Sequence, residues 1–238
     1  VLAVAYAPDG SRIATGSTDY SVRLWTAGAG EMLYTLEQHT DRAWALAFSP
    51  DSALLASGAE DGIIALWNTA DGSLVRTLEG HEAGVFGVAF SPDGSLLASA
   101  SSDHSVRLWD VAAGSEARRL DGHDAEAWAV AFSPNGTQLA SCGADGTLRI
   151  WQVADGTLLH NMEGHTQSVE NLAWSPDGGV IASASVDATV QLWDAGSGDR
   201  LTILAGHTST VSDVAFSADG ALLASASNDG SVRLWGVP

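Results

Sequence analysis

The sequence predicts an all-β chain built from one repeated four-stranded unit, stacked radially as the blades of a β-propeller. Three observations carry that prediction. First, Trp25, Trp67, Trp109, Trp151, Trp193 and Trp235 recur at a constant interval of 42 residues, as do Asp19, Asp61, Asp103, Asp145, Asp187 and Asp229. Second, His39, His81, His123, His165 and His207 keep the same interval, and no insertion or deletion breaks the register. A fixed period of this length marks an array of supersecondary units. Third, each unit alternates apolar and polar residues between Asp-Gly and Gly-rich turns, and helical periodicity is absent throughout.

The third unit shows why each element is expected. VFGVAF (85–90) alternates and runs into SPDG, a turn with Asp-Gly at its tip. SLLASAS (95–101) is the second strand, and SDHS turns into SVRLW (105–109), the third. A Gly-containing turn then leads to ARRLDG (117–122), the fourth. Four strands in so few residues cannot bury both faces alone. Radial stacking lets each sheet cover its neighbour and removes most exposed edges. The first unit begins at its first strand and the sixth ends after its third, so the segment 197–210 has no counterpart there. Three explanations fit: six blades with one lacking its closing outer strand, a fragment of a seven-bladed or longer array, or a lost segment. The favoured reading is one six-bladed domain over residues 1–238, within a larger parent protein.

Composition narrows the function. The 238 residues carry 29 acidic and 10 basic side chains, a net charge of −19, and every basic residue is Arg. Such a surface repels phosphate backbones and argues against nucleic-acid binding, while suiting a basic partner. No apolar run approaches the roughly 18 residues of a membrane span, and the N-terminal stretch lacks the basic region of a signal peptide. The one cysteine, Cys142, excludes an internal disulfide or a multi-Cys zinc site. It stands in the apolar stretch QLASCGAD and reads as a small core residue. A cytoplasmic chain without cofactor or metal is expected.

His, Ser and Asp recur together, the residue types of a serine hydrolase. The sets are His39, Ser57, Asp61 and Trp67; His81, Ser99, Asp103 and Trp109; His123, Ser141, Asp145 and Trp151; His165, Ser183, Asp187 and Trp193; and His207, Ser225, Asp229 and Trp235. The first unit keeps Thr15, Asp19 and Trp25. Indole only donates and carboxylate only accepts, whereas hydroxyl and neutral imidazole do both. A chain from Trp to Ser to His to Asp therefore satisfies every member. A nucleophilic site needs one exposed Ser and an oxyanion hole, and five near-identical copies offer no such asymmetry. A structural role is expected, with hydrolase chemistry at one set as the remote alternative. His104 and His160 fall outside these sets and read as solvated. Arg23, Arg107, Arg149 and Arg233, each two residues before the Trp, read as part of the blade.

Gly-His, then about two dozen residues to Asp, then Trp at a strand end, resembles the WD40-repeat family over essentially the whole chain. The Trp-Asp dipeptide itself survives only at Trp109–Asp110 and Trp193–Asp194. The resemblance implies that the repeated groups form structural tetrads, and that a partner-binding top face is built from the loop before the first strand, the start of that strand, and the turn before the repeated Asp. Positions that vary between units there are the recognition candidates: Arg42, Trp44, Glu60, Phe86, Glu126, Trp128 and Glu170. Three aromatics on consecutive blades with an acidic rim would suit a basic, aromatic-containing peptide, and a cage for a methylated Lys is a weaker reading. The even, Ala-rich, Lys-free units are similar to bacterial WD40 arrays, often the sensor end of larger signalling proteins. The expected function is non-catalytic protein–protein interaction, with an architectural subunit that oligomerises through its rim or open blade edge as the alternative.

Overall fold

A computed structural model describes residues 1–237, and every described element is a β-strand. The chain divides into two compact units, the first Val1–Asp121 and the second from Gly122 onward. The first unit holds three antiparallel sheets, each of four strands in chain order. Sheet one is β1 (Ala3–Tyr6), β2 (Arg12–Gly16), β3 (Val22–Thr26) and β4 (Met32–Leu36). Sheet two is β5 (Ala43–Phe48), β6 (Leu54–Ala59), β7 (Ile64–Asn68) and β8 (Leu74–Leu78). Sheet three is β9 (Val85–Phe90), β10 (Leu96–Ser101), β11 (Ser105–Asp110) and β12 (Ser115–Asp121).

The second unit repeats the plan. Sheet four is β13 (Ala127–Phe132), β14 (Gln138–Gly143), β15 (Thr147–Gln152) and β16 (Leu158–Glu163). Sheet five is β17 (Val169–Trp174), β18 (Val180–Ser185), β19 (Thr189–Asp194) and β20 (Arg200–Ala205). Sheet six has three strands among the described residues, β21 (Val211–Phe216), β22 (Leu222–Ser227) and β23 (Val232–Gly236). Six sheets thus match the six units, five of them four-stranded, as the repeat predicts.

Local chemistry sets these elements. In the SPDG turn of sheet three, Asp93 Oδ1 accepts from Ser91 Oγ at 2.6 Å and from the Ser95 amide at 3.0 Å, closing an Asx turn. Those bonds, that from Ser91 foremost, hold the Asp93 carboxyl down at about 2. Gly94 closes the turn at φ +73°, where a side chain would be strained. The third and fourth strands slip by one residue beside the repeated Trp in all five four-stranded sheets. This bulge lets Ser115 and Glu116 pair with Asp110 and Trp109, so β12 starts two residues earlier than the alternation in the sequence suggests.

Within each unit, one sheet covers the next. Ala56, Ile64 and Leu66 of sheet two pack with Val85, Leu97 and Trp109 of sheet three, all at 2 % exposure or less. Ala140, Cys142, Leu148 and Ile150 of sheet four pack with Val169, Leu172, Ile181 and Trp193 of sheet five. Complete burial of such aliphatic side chains stabilises by about 1.5–3 kcal/mol each. Burial also pushes the Cys142 thiol up, so it remains an uncharged core group.

Candidate functional site

Each recurrent His, Ser, Asp and Trp meets in space because β-structure brings residues far apart in sequence to adjacent rungs. In sheet three, Trp109 Nε1 donates to Ser99 Oγ at 2.8 Å, Ser99 Oγ lies 2.7 Å from His81 Nε2, and His81 Nδ1 lies 2.9 Å from Asp103 Oδ2. Ser99 pairs with Arg107 and Trp109 with Leu97 across β10 and β11, so the indole reaches two residues along the ladder to a neighbour on the same face. The same chain links Trp67, Ser57, His39 and Asp61, with bonds of 2.9, 2.8 and 3.2 Å. It links Trp151, Ser141, His123 and Asp145 at 2.9, 2.8 and 2.8 Å. It links Trp193, Ser183, His165 and Asp187 at 2.9, 2.8 and 2.8 Å, and Trp235, Ser225, His207 and Asp229 at 2.9, 2.8 and 2.9 Å. In sheet one Trp25 Nε1 donates to Thr15 Oγ1 at 2.9 Å, while Asp19 turns to solvent and pairs with Arg23 at 2.8 Å.

The proton order follows from the partners. With an indole N–H on its oxygen, the single Ser O–H points to Nε2. The remaining imidazole proton then sits on Nδ1 and faces the carboxylate. Each carboxylate also receives the backbone amide that follows the His, Glu82 to Asp103 at 3.1 Å for example, and its other oxygen anchors its own turn. Burial acts to raise the Asp103 and Asp145 carboxyls, but the bonds from His81 and Ser105, and from His123 and Thr147, outweigh it and hold both below the usual carboxylate range. Burial pushes the imidazoles of His39 and His165 down against the pull of Asp61 and Asp187, favouring the neutral form. The five Ser residues are at most 1 % exposed.

The periodic Arg belongs to the same construction. Arg107 is buried, donates to Glu116 at 2.7 Å and reaches Asp103 at 3.5 Å. Its guanidinium lies where a Cβ on Gly80 would stand, 2.6 Å from Nη1, with the Trp109 ring 3.2 Å away. Gly before the His is therefore required wherever Arg or Gln fills the position two before the Trp. Sheet two shows the converse: Ala65 replaces the Arg, and Gln38 replaces the Gly.

The varied loop residues form two clusters. In the first unit, Arg42 Nη1 lies 3.8 Å from Glu60 Oε1, and the Trp44 and Phe86 rings stand 5.7 Å apart at 52°. Gly84 lies between the Phe86 ring and the Glu60 backbone. Arg42 is exposed, and Trp44, Glu60 and Phe86 are half-buried. The Trp44 indole Nε1 is buried without a hydrogen-bond partner. In the second unit, Trp128 Nε1 donates to Ser168 Oγ at 3.0 Å, and Ser168 Oγ donates to Glu170 Oε1 at 2.8 Å. The Glu126 carbonyl accepts the Ala144 amide at 2.8 Å. The two tryptophans differ for a simple reason: Ser168, the acceptor for Trp128, has Gly84 as its counterpart for Trp44.

His160 has a partner that the sequence reading did not give it. It is partly exposed but also engaged: its Nε2 lies 3.0 Å from the Gly196 carbonyl of the following sheet, and Gly198 at φ +76° makes room for the ring. Tyr34 Oη donates to the Ala70 carbonyl at 3.0 Å and Arg76 Nη1 to the Ala112 carbonyl at 3.0 Å from equivalent positions. Tyr34 and Arg76 are 42 residues apart and His160 stands two periods further on, and each acts as a strap from outer strand to next turn. Their differing types hid the period, although a long donor always facing a Gly-containing turn was a usable signal. His104, at φ +69°, is exposed as expected. Among the described residues no group of three or more His, Cys, Asp or Glu could hold a metal ion.

Six antiparallel sheets of three or four strands, five of them tied by a buried Trp–Ser–His–Asp chain, define the blades of a β-propeller. The sequence pattern of the WD domain, G-beta repeat (WD40) matches residues 1–26, 30–68, 72–110, 114–152, 156–194 and 198–236, and the chain belongs to that family. Each match from the second onward takes the fourth strand of one sheet and the first three of the next, so repeat and blade are out of phase by one strand. Members generally act as non-enzymatic scaffolds that bind protein partners. No curated protein is a match for the chain.

Proposed function

We propose that this chain is a non-catalytic interaction module that recognises a basic, aromatic-containing peptide or loop through the variable ends of its sheets. The observation that carries the reading is the convergence of Arg42, Trp44, Glu60 and Phe86, the residues least constrained by the repeat, into one cluster with a ring pair and an ion pair. Aromatic and Arg anchors are enriched in protein interfaces. Glu60 gives the cluster an acidic neighbour in a chain of net charge −19. Trp128 and Glu170, with Glu126 nearby in sequence, supply a similar combination on the second unit.

The buried tetrads support a structural role. Each Ser oxygen is occupied by an indole N–H and an imidazole, and has almost no exposed surface. A nucleophile needs access to an electrophile and an oxyanion hole, and five equivalent copies supply neither. A rigid surface of this kind orders only the partner on binding, which lowers the entropic cost of association. We further infer a cytoplasmic, regulatory setting within a larger signalling protein.

Fluorescence anisotropy with a labelled peptide panel, varied in charge and aromatic content, tests the reading. Basic aromatic peptides bind best, and Trp44→Ala combined with Phe86→Ala weakens them at least tenfold while folding persists. Equal affinity across the panel, or an unchanged affinity in the double variant, rejects it.

A further inference from the structure

Trp44 keeps a buried indole N–H that finds no acceptor in the fold. A buried donor left unpaired works against stability, so native folds hold few of them and each calls for a cause. The repeat shows how the chain meets the same donor elsewhere. Two repeats on, Trp128 donates to Ser168 Oγ at 3.0 Å, and Ser168 Oγ donates to Glu170 Oε1 at 2.8 Å. Gly84 and Phe86 stand at the places of Ser168 and Glu170. Both polar members of that relay are exchanged, while the indole is kept.

The backbone sets the two rings together. Trp44 is the residue left out of the ladder between Ala43 and Ala45 in β5, and Phe86 is the one left out between Val85 and Gly87 in β9. Such bulges release a side chain from the ladder and re-aim it. The ring centroids stand 5.7 Å apart, and a Cβ on Gly84 would lie 3.1 Å from the Phe86 ring. The Ser102 amide donates to the Gly84 carbonyl at 2.9 Å and fixes the loop at that point. Because the Trp44 N–H is buried, an acceptor from outside reaches it only when a covering side chain turns. Half-buried Phe86, against both Trp44 and Gly84, is the side chain placed to do so.

We propose that the Trp44 N–H is left unpaired for the ligand, and donates to a backbone carbonyl of the bound peptide once Phe86 swings aside. This rests on the interaction reading above and adds the atom that makes the polar contact. The surroundings select a neutral acceptor. Glu60 already engages the Arg42 guanidinium at 3.8 Å, and in a chain of net charge −19 it turns away a carboxylate. Between two aromatic rings, a hydrogen bond to an amide carbonyl is stronger than in water. Glu60 then faces the basic side chain of the same peptide. Gly84 acts through what it lacks: a Ser there gives the indole an internal partner and exchanges binding for stability.

Nitrogen–proton correlation spectra and fluorescence anisotropy on the whole chain test the proposal, with a fluorescein-labelled peptide of alternating Arg and Trp as the probe. In the free protein the Trp44 indole proton lies upfield of those of Trp67 and Trp109, which are bonded at 2.9 and 2.8 Å, and it moves downfield as peptide is added. Trp44→Phe keeps a ring without the donor and weakens binding about fivefold to tenfold, the worth of one hydrogen bond. Gly84→Ser unfolds at a higher temperature than Gly84→Ala and binds more weakly; both add the same Cβ, so the difference reports the hydroxyl. Replacing peptide amides one at a time by esters, which are poorer acceptors, weakens the wild type at one position and leaves Trp44→Phe unchanged there. A Trp44 proton already downfield in the free protein reveals an internal acceptor, water included, and overturns the proposal. So does a proton that stays in place on binding, or a Gly84→Ser that matches Gly84→Ala in both readings. Equal binding by wild type and Trp44→Phe overturns it and leaves the interaction reading standing, whereas a wild type that binds no basic aromatic peptide overturns both.

Discussion

Ser99→Ala probes the tetrads most directly. Ser99 Oγ is completely buried, accepts from Trp109 Nε1 at 2.8 Å and sits 2.7 Å from His81 Nε2. Removing it strands a buried indole donor and a buried imidazole acceptor. A buried polar group left unsatisfied costs about 1–3 kcal/mol, so two cost about 2–5 kcal/mol after partial relaxation. That is a large share of the roughly 5–15 kcal/mol that holds a domain folded. Ser99→Thr is the control, because Thr15 already fills this place in sheet one and accepts from Trp25 at 2.9 Å. It is expected to cost under about 1.5 kcal/mol, the penalty of one extra methyl in a packed interior. Urea unfolding, read together with hydrogen exchange of β9–β12 amides, distinguishes the two. A loss below about 0.5 kcal/mol in Ser99→Ala, or equal losses in Ala and Thr, would refute the hydrogen-bond account.

Three further outcomes follow from the same geometry. Trp128→Phe deletes a made bond to Ser168, whereas Trp44→Phe deletes an indole N–H without a partner. The first is expected to cost about 1 kcal/mol more than the second in thermal unfolding, and equal costs count against the pairing. Gly122→Ala places a Cβ against Arg149 Nη1 and 2.9 Å from the Trp151 ring, and is expected to destabilise by about 1–3 kcal/mol. Adding Arg149→Ala recovers part of that loss in a double-mutant cycle, as the natural Gln38 and Ala65 pair indicates, and strict additivity contradicts the stacking account. Stability also falls on acidification. His39 and His165 have folded pKa values below the unfolded value of about 6.5, so their contribution is complete above that pH and declines as pH drops towards the folded values. Asp103, Asp145, Asp187 and Asp229 are also depressed and add a second decline beginning below about pH 4. A midpoint temperature that rises between pH 7 and pH 5 would contradict the sign.

The sequence by itself determined the number of sheets, their four-strand plan and the membership of every tetrad. A constant interval repeats one local solution, and the donor and acceptor inventory of Trp, Ser, His and Asp allows one bonding order. It also separated Arg42, Trp44, Glu60 and Phe86 from the scaffold, since only positions that vary within the repeat are released from it. Tertiary structure decided what depends on neighbours in space. The strap from His160 to Gly196 joins residues 36 apart whose chemistry differs between units, so no periodic residue type announces it. The unmet donor of Trp44 depends on Gly84 standing where Ser168 stands for Trp128, a contact between consecutive sheets. Most of all, Val190 and Val232 occupy the same place in the repeat, yet one is 0 % and the other 70 % exposed. Burial is a property of what lies opposite, and a side chain's own sequence context does not specify its cover.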